Sequence, residues 1–235
     1  MFKEMEDHFK NKRVPPMSNR LLERLFSTIQ TIVFKEIGKK ITTNALKNIM
    51  DLFFIVFEKV GCKFEVISDI YLHLYKEIVS KEVIMAQISS KDRVLVIGSG
   101  SLPATPVLIA QNTQAQTTSI DKDCNAVKEA AQYVKNHHLE QILTIECADG
   151  TMYPLTQFTI IVVLYGVKKP AEVLRYLGSH INQDTRVIYR TITDSKGTIT
   201  DKTLDLSAYF HINDRVHSED LGSFDSFLLT KKELS

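Results

Sequence analysis

The chain has 235 residues, enough for one large domain or a domain with a substantial extension, and its 44% hydrophobic and 24% charged content excludes global disorder. A formal net charge of +1 supplies no overall field for gripping nucleic acid or an anionic membrane, so neither partner is expected. The acidic start, Met1-Phe2-Lys3-Glu4-Met5-Glu6-Asp7, does not read as a signal or transit peptide, and the apolar runs Leu52–Phe57 and Ile160–Tyr165 are too short to span a bilayer. A soluble cytoplasmic protein is expected.

From Asn19 to Gln87 the chain has no proline and only Gly38 and Gly61, and apolar residues recur at helical spacing. Leu21, Leu22, Leu25, Phe26, Ile29, Ile32 and Val33 form one stripe. Leu46, Ile49, Met50, Phe53, Phe54 and Phe57 form a second, with Asn44 as a cap and Gly61 as a stop. Ile70, Leu74, Ile78 and Ile84 suggest a third. Pro15-Pro16 ends whatever precedes the first. Residues 1–90 therefore read as an α-helical N-terminal domain, and its aromatic faces read as core.

Beyond residue 90 the pattern alternates strand and helix. Strands are predicted at Val94–Ile97, Thr117–Ile120, Leu143–Glu146, Ile160–Leu164 and Arg186–Thr191, with helices at Thr105–Gln111, Asn125–Asn136 and Pro170–His180. Such alternation implies a parallel sheet with right-handed crossovers and a ligand over the C-terminal ends of the strands. Asp214–His217 and Phe224–Thr230, separated by Gly222, read as an antiparallel pair. Residues 91–235 are thus an α/β, Rossmann-like domain, a mostly parallel sheet with an antiparallel C-terminal edge. That is the layout of class I S-adenosylmethionine (SAM)-dependent transferases.

The most informative segment is Arg93-Val94-Leu95-Val96-Ile97-Gly98-Ser99-Gly100-Ser101-Leu102, with Asp121 23 positions beyond Gly98. A buried strand runs into a glycine turn, then a helix, then a second strand ending in a carboxylate. Gly98, Ser99 and Gly100 let the backbone approach an adenosine ligand, and Asp121 is placed to accept hydrogen bonds from both ribose hydroxyls. The third glycine, which packs against a dinucleotide pyrophosphate, is replaced by Leu102-Pro103. A ligand without pyrophosphate, SAM, fits better than NAD or FAD.

Asp149, in Glu146-Cys147-Ala148-Asp149 at the end of the third strand, either accepts from the adenine amine or forms a turn before Gly150, and the two roles are compatible. Tyr165 ends the fourth strand, where it either lines the reaction centre or packs. The acidic or amide tetrad that orients the nitrogen in amine methyltransferases is absent there. Cys62, Cys124 and Cys147 are odd in number and widely spaced, the usage of a reducing compartment and not of a disulfide scaffold. No CxxC or HExxH occurs, and no metal site is expected; His137-His138 reads as a helix end.

Val96-Ile97-Gly98-Ser99-Gly100-Ser101-Leu102-Pro103 resembles the Gly-Ser-Gly-Pro-Leu-Pro turn of nicotianamine synthases. Phe158 to Lys169, Val187-Ile188-Tyr189-Arg190-Thr191, His211 to Val216 and Phe224 to Lys232 are similar, in order, to later segments of that family. The resemblance implies transfer of the 3-amino-3-carboxypropyl group of SAM to an amine of a small amino-acid-type acceptor. Methylthioadenosine would be released and a metallophore-type amino acid made. It also implies a glutamate on the last N-terminal helix, for which Glu82 lies at the matching distance and Glu77 is the fallback. Glu82 is equally readable as a solvated helix charge beside Lys81. Tyr71 and Tyr75 on the same helix are placed to close the pocket, with Tyr75 joining Glu82 as a catalytic candidate. Ser101 replaces the family's proline, Val107-Leu108-Ile109 lacks the hydroxyl that archaeal members carry after the turn, and Ile192-Thr193-Asp194 replaces small residues. A small-molecule N- or O-methyltransferase and a catalytically inactive SAM-fold binding protein therefore stand as alternatives.

Overall fold

A computed structural model describes residues 65–194, 197–201, 204–219 and 224–232. Two compact units divide the chain, residues 1–47 and 48–235, and every described residue belongs to the second. The first two predicted helical stripes, Pro15-Pro16, Cys62 and Gly222 lie outside the described residues.

Seven strands form one sheet in the order β3-β2-β1-β4-β5-β7-β6. They are β1 (Arg93–Ile97), β2 (Gln116–Asp121), β3 (Leu143–Cys147), β4 (Ile160–Val163), β5 (Arg186–Ile192), β6 (Phe210–His217) and β7 (Phe224–Lys231). The first five pair in parallel, and β7 inserts antiparallel between β5 and β6. Strands β1 and β4 are central and covered on both faces, which is why Val94–Ile97 and Ile160–Val163 are unbroken apolar runs. Removing one such side chain, as in Leu95→Ala, costs about 2–5 kcal/mol.

Helices α1 (Glu65–Met85), α2 (Ala104–Thr113) and α3 (Cys124–Asn136) share a core through Tyr71, Leu102, Val107, Ala110, Tyr133 and Val134. Helix α4 (Pro170–His180) packs with Val173, Leu174 and Leu177 into a separate core that includes Tyr189 and Phe227. Asp123 caps α3 by accepting from the backbone N–H of Asn125 and Ala126, and His137 ends it, its ring Nδ1 2.9 Å from the Tyr133 carbonyl.

Each predicted strand and helix beyond residue 90 is present, with ends that move by a few residues at most. Two expectations fail. On α1 the buried face carries Tyr71, Ile78, Val79, Glu82 and Val83, while Ile84 is 49% exposed. Ile78 of the expected stripe is on this buried face and Leu74 is half-buried, but Ile84 leaves it, and the face turned inward includes Glu82, a charge with a partner in the sheet. The cysteines are the second correction. Cys124 and Cys147 form a disulfide with a Cα–Cα distance of 5.1 Å. Pairing of β2 with β3 sets Asp121 opposite Cys147, which brings Cys124, three residues on, within reach. That proximity depends on strand order, which cysteine spacing does not reveal.

Candidate functional site

In open α/β sheets a crevice forms where the strand order reverses. Here the reversal falls between β1 and β4, and the residues that follow those two strands form opposite walls of a narrow cleft. Gly98 and Ser99 come from the first wall, Leu164 and Tyr165 from the second. Tyr71 and Tyr75 of α1, Leu102, Ala104 and Thr105 at the start of α2, and Arg190 of β5 complete the lining.

The glycine turn is built for close approach. Gly98 has φ +89° and Gly100 +63°, in the left-handed region that side chains resist. A Cβ on Gly98 would also stand 2.5 Å from Val167 Cγ2. The Gly98 N–H donates to the Ile120 carbonyl at 2.8 Å, tying the turn to β2. Asp121, at the end of β2, accepts from the Gly100 N–H at 2.9 Å through Oδ2 and from the Asp123 N–H at 3.0 Å through Oδ1. The carboxylate expected at the ribose is therefore anchored against the turn expected to carry the cofactor. Ser99 lies between the two glycines, 5% exposed, and its hydroxyl is buried with no hydrogen-bond partner in the protein. Buried polar groups are normally satisfied, so an orphan lining a cleft points to a ligand.

Asp149 sits beyond β3 and anchors its own turn. Its Oδ1 accepts from the Thr151 N–H at 2.9 Å and hydroxyl at 2.8 Å, and Oδ2 pairs with Lys122 at 2.9 Å. The Thr151 N–H first, then Lys122, hold this carboxyl down at about 2. Gly150 is needed for approach, since a Cβ there would meet Ile97 Cγ2 at 2.8 Å. Tyr165 lines the cleft and meets Phe224 edge-on, ring centroids 5.0 Å apart.

Glu82 is not a solvated helix charge. It is fully buried and paired bidentately with Arg190, which donates from Nε to Oε1 at 2.9 Å and from Nη2 to Oε2 at 2.6 Å. The Ser226 hydroxyl of β7 donates to Oε1 as well. Arg190 is 1% exposed and donates from Nη1 to the Thr105 hydroxyl at 2.9 Å. Burial of this guanidinium favours its neutral form, but the adjacent Glu82 more than compensates and pushes its pKa up. Glu82 itself does not line the cleft; Arg190 does, one layer in front of it. The guanidinium carbon lies 5.4 Å from the centroid of the Tyr75 ring, and the Tyr71 hydroxyl donates to that of Tyr75 at 3.4 Å.

Glu77, the fallback, faces the sheet edge. It pairs with Lys81 and accepts from the Ser218 hydroxyl at 2.8 Å. Burial pushes its carboxyl up, and the bonds from Lys81 and Ser218 outweigh that and hold it below the usual range. Among the predicted residues the cleft brings together Tyr71, Tyr75, Gly98, Ser99 and Tyr165, with Glu82 behind it. Asp121 stands at the turn's far side and Asp149 at the end of β3. Arg190 and Thr105 were not expected. The signal for Arg190 is a lone charge inside Val187-Ile188-Tyr189-Arg190-Thr191-Ile192, an apolar strand that must hold a partner for it.

Comparison with known proteins agrees with this geometry. The fold matches a Glu→Gln variant of MtNAS in complex with S-adenosylmethionine at TM-score 0.72 and 16% identity, over 97% of this chain and 96% of that one. It matches MtNAS in complex with MTA and tNA at TM-score 0.72 and 16% identity, over 98% of this chain and 95% of that one. A putative S-adenosylmethionine-dependent methyltransferase from Methanococcus maripaludis matches at TM-score 0.59 and 12% identity, over 76% of this chain and 94% of the other. No curated protein matches the chain. The sequence profile of the nicotianamine synthase protein family matches residues 68–235, from the first turn of α1 through the Gly98–Gly100 turn and the C-terminal hairpin. This chain belongs to the nicotianamine synthase family and is a SAM-dependent transferase.

Proposed function

We propose that the protein transfers the 3-amino-3-carboxypropyl group of SAM to an amine of a small amino-acid-type acceptor, releasing methylthioadenosine. The observation that carries this reading is the Tyr75–Arg190–Glu82 assembly, which brings a phenol and a buried ion pair to the cleft formed by the glycine turn. SAM lies over Gly98–Gly100, with Asp121 on the ribose hydroxyls, Asp149 toward the adenine amine and Tyr165 beside the sulfonium. The group must be carried by SAM itself, and its three carbons on sulfur are all electrophilic. Which one reacts is set by what is placed in line with it.

In the proposed step the acceptor nitrogen forms a bond to the aminocarboxypropyl carbon attached to sulfur. The carbon–sulfur bond breaks, and its electron pair returns to sulfur as neutral methylthioadenosine. The amine proton leaves to a base, and the group within the cleft placed to take it is the Tyr75 oxygen in its phenolate form, which the neighbouring Arg190 cation favours. Glu82 belongs to the same machinery from behind: it supplies the charge that holds the Arg190 guanidinium in a buried wall. Two neighbours with the same overall fold support the use of SAM, because MtNAS is seen with S-adenosylmethionine in one structure and with MTA in another. Helix α1, the last part of the segment 1–90 that reads as helical, supplies one wall. A chain beginning at Ser89 is therefore expected to lose activity.

The test is product identity. SAM is incubated with the protein and each of the twenty amino acids, and the nucleoside released is identified by mass spectrometry. Methylthioadenosine with a matching gain on the acceptor is the expected result. S-adenosylhomocysteine as the sole nucleoside overturns the reading in favour of methyl transfer.

A further inference from the structure

We infer that Ser99 and Arg190 form a carboxylate subsite in the cleft, which selects a ligand bearing an α-carboxylate over the same ligand without it. This rests on the proposed function and names the specificity of the same cleft.

Three independent features meet at one wall. Arg190 has five N–H groups, and its bonds to Glu82 and Thr105 use three of them. One N–H on each terminal nitrogen is left, in the fork arrangement that matches a carboxylate. Ser99 contributes the hydroxyl that is 5% exposed and without a partner. Helix α2 begins beside them with no side-chain cap and no acidic residue in its first turn, so its positive end is uncompensated. All three line the cleft, through Arg190, Ser99, Ala104 and Thr105.

A guanidinium whose inner edge is locked by a buried carboxylate cannot turn away from the cleft. It is pre-oriented for a planar anion and needs no ordering when the anion arrives. Conversely, a ligand without the carboxylate leaves the Ser99 hydroxyl and two guanidinium N–H groups buried and unpaired, and such sites reject the lacking analogue strongly. The carboxylate has two possible sources in this reaction, the amino-acid end of SAM and the acceptor, and the experiment separates them.

Binding of SAM, decarboxylated SAM and methylthioadenosine is measured by titration calorimetry on the full chain, for the unaltered protein and for Ser99→Ala and Arg190→Lys. Lysine keeps the positive charge facing Glu82 but loses the fork. If the subsite holds the carboxylate of SAM, the unaltered protein binds SAM at least about tenfold more tightly than decarboxylated SAM, as loss of a hydrogen bond to a charged group predicts. Both substitutions then narrow that ratio while methylthioadenosine affinity stays the same, which shows the nucleotide pocket intact. If the subsite holds the acceptor, the same narrowing appears in the rates with an amino acid against its decarboxylated amine, and the SAM ratio does not move. A SAM preference and an acceptor preference that are both unchanged in both variants overturn the subsite and leave the reaction standing. Failure of the unaltered protein to bind SAM or methylthioadenosine overturns the reaction and the subsite together.

Discussion

Strands β5 and β7 carry two buried ion-pair networks, back to back. Arg190 pairs in register with Ser226, and Thr191 with Asp225, so successive residues serve opposite faces of the same two strands. On one face Glu82, fully buried, takes Arg190 and Ser226 and stands behind the ligand cleft. On the other Asp225, also fully buried, takes Nε and Nη2 of Arg215 at 3.1 and 2.8 Å, the Thr193 hydroxyl and His217 Nδ1. The carboxylates are equally buried, but their cations differ. The Arg190 side chain is 1% exposed and completes a cavity wall; that of Arg215 is 39% exposed and reaches the Gly197 carbonyl at 3.1 Å. The second network pins β6 and the loop after β5 to the sheet. Burial of a charge is thus not by itself the mark of function. What separates the two is that the first network presents unused donors to a cavity beside an orphaned hydroxyl, and the second presents its cation to solvent.

The sharpest way to break this comparison is to remove each cation. Arg190→Met leaves Glu82 buried without a counter-charge and is expected to cost about 3–5 kcal/mol of stability, the usual penalty for breaking a buried pair. Arg215→Met leaves Asp225 with Thr193 and His217, and water reaches the site, so the loss should be about 1–3 kcal/mol. Urea unfolding of both proteins checks the difference, and equal losses would erase it.

A smaller effect concerns the nucleotide alone. Asp121→Ala is expected to weaken SAM binding by about 1.5–3 kcal/mol, the worth of hydrogen bonds to a charged group. Calorimetric titration measures it, and unchanged affinity in the folded variant would remove Asp121 from the ribose.

The smallest predicted effect is on acid stability. Asp149 is held at about 2 and Asp92 below its ordinary value, against about 3.9 for an unfolded aspartate. For Asp92 burial acts upward and is outweighed by bonds from Ser89 and Thr159, with Arg186 adding to them. A depressed carboxyl stabilises the fold above the unfolded value and loses that contribution as pH falls through the folded one. The melting temperature should therefore fall between about pH 4 and pH 2, and the fall should be shallower in Asp149→Asn. An identical slope in that variant would show that the Lys122–Asp149 pair contributes nothing.

Much of this was readable from local pattern. The apolar runs of β1 and β4, the glycine turn and the acid closing β2 are each set by neighbours within a few residues, so Gly98, Gly100 and Asp121 stand where their spacing places them. What depended on distant strands was hidden. That α1 buries Glu82 beside Ile78 and Val79 could not be read from the helix itself, because the partner, Arg190, lies 108 positions beyond Glu82. Cys124 and Cys147 were legible as two cysteines and not as a pair until β3 lay beside β2. The Asp149-Gly150 dipeptide signalled its turn correctly, but the Lys122 ion pair depends on the same strand neighbours. Arg190 was visible throughout as a charge in an apolar strand, and a search for its partner would have led to Glu82.

The most direct test of the account compares Glu82→Gln with Asp225→Asn, measuring methylthioadenosine release from SAM per folded molecule. Glu82→Gln should still bind methylthioadenosine, whose nucleotide part does not meet Arg190, and lose turnover by about a hundredfold or more, as disruption of acid–base machinery does. Asp225→Asn should lose stability and keep turnover within about threefold, since a network away from the cleft contributes to the fold and not to the reaction. Full activity in Glu82→Gln, or an equal loss of turnover in both variants, would contradict the account.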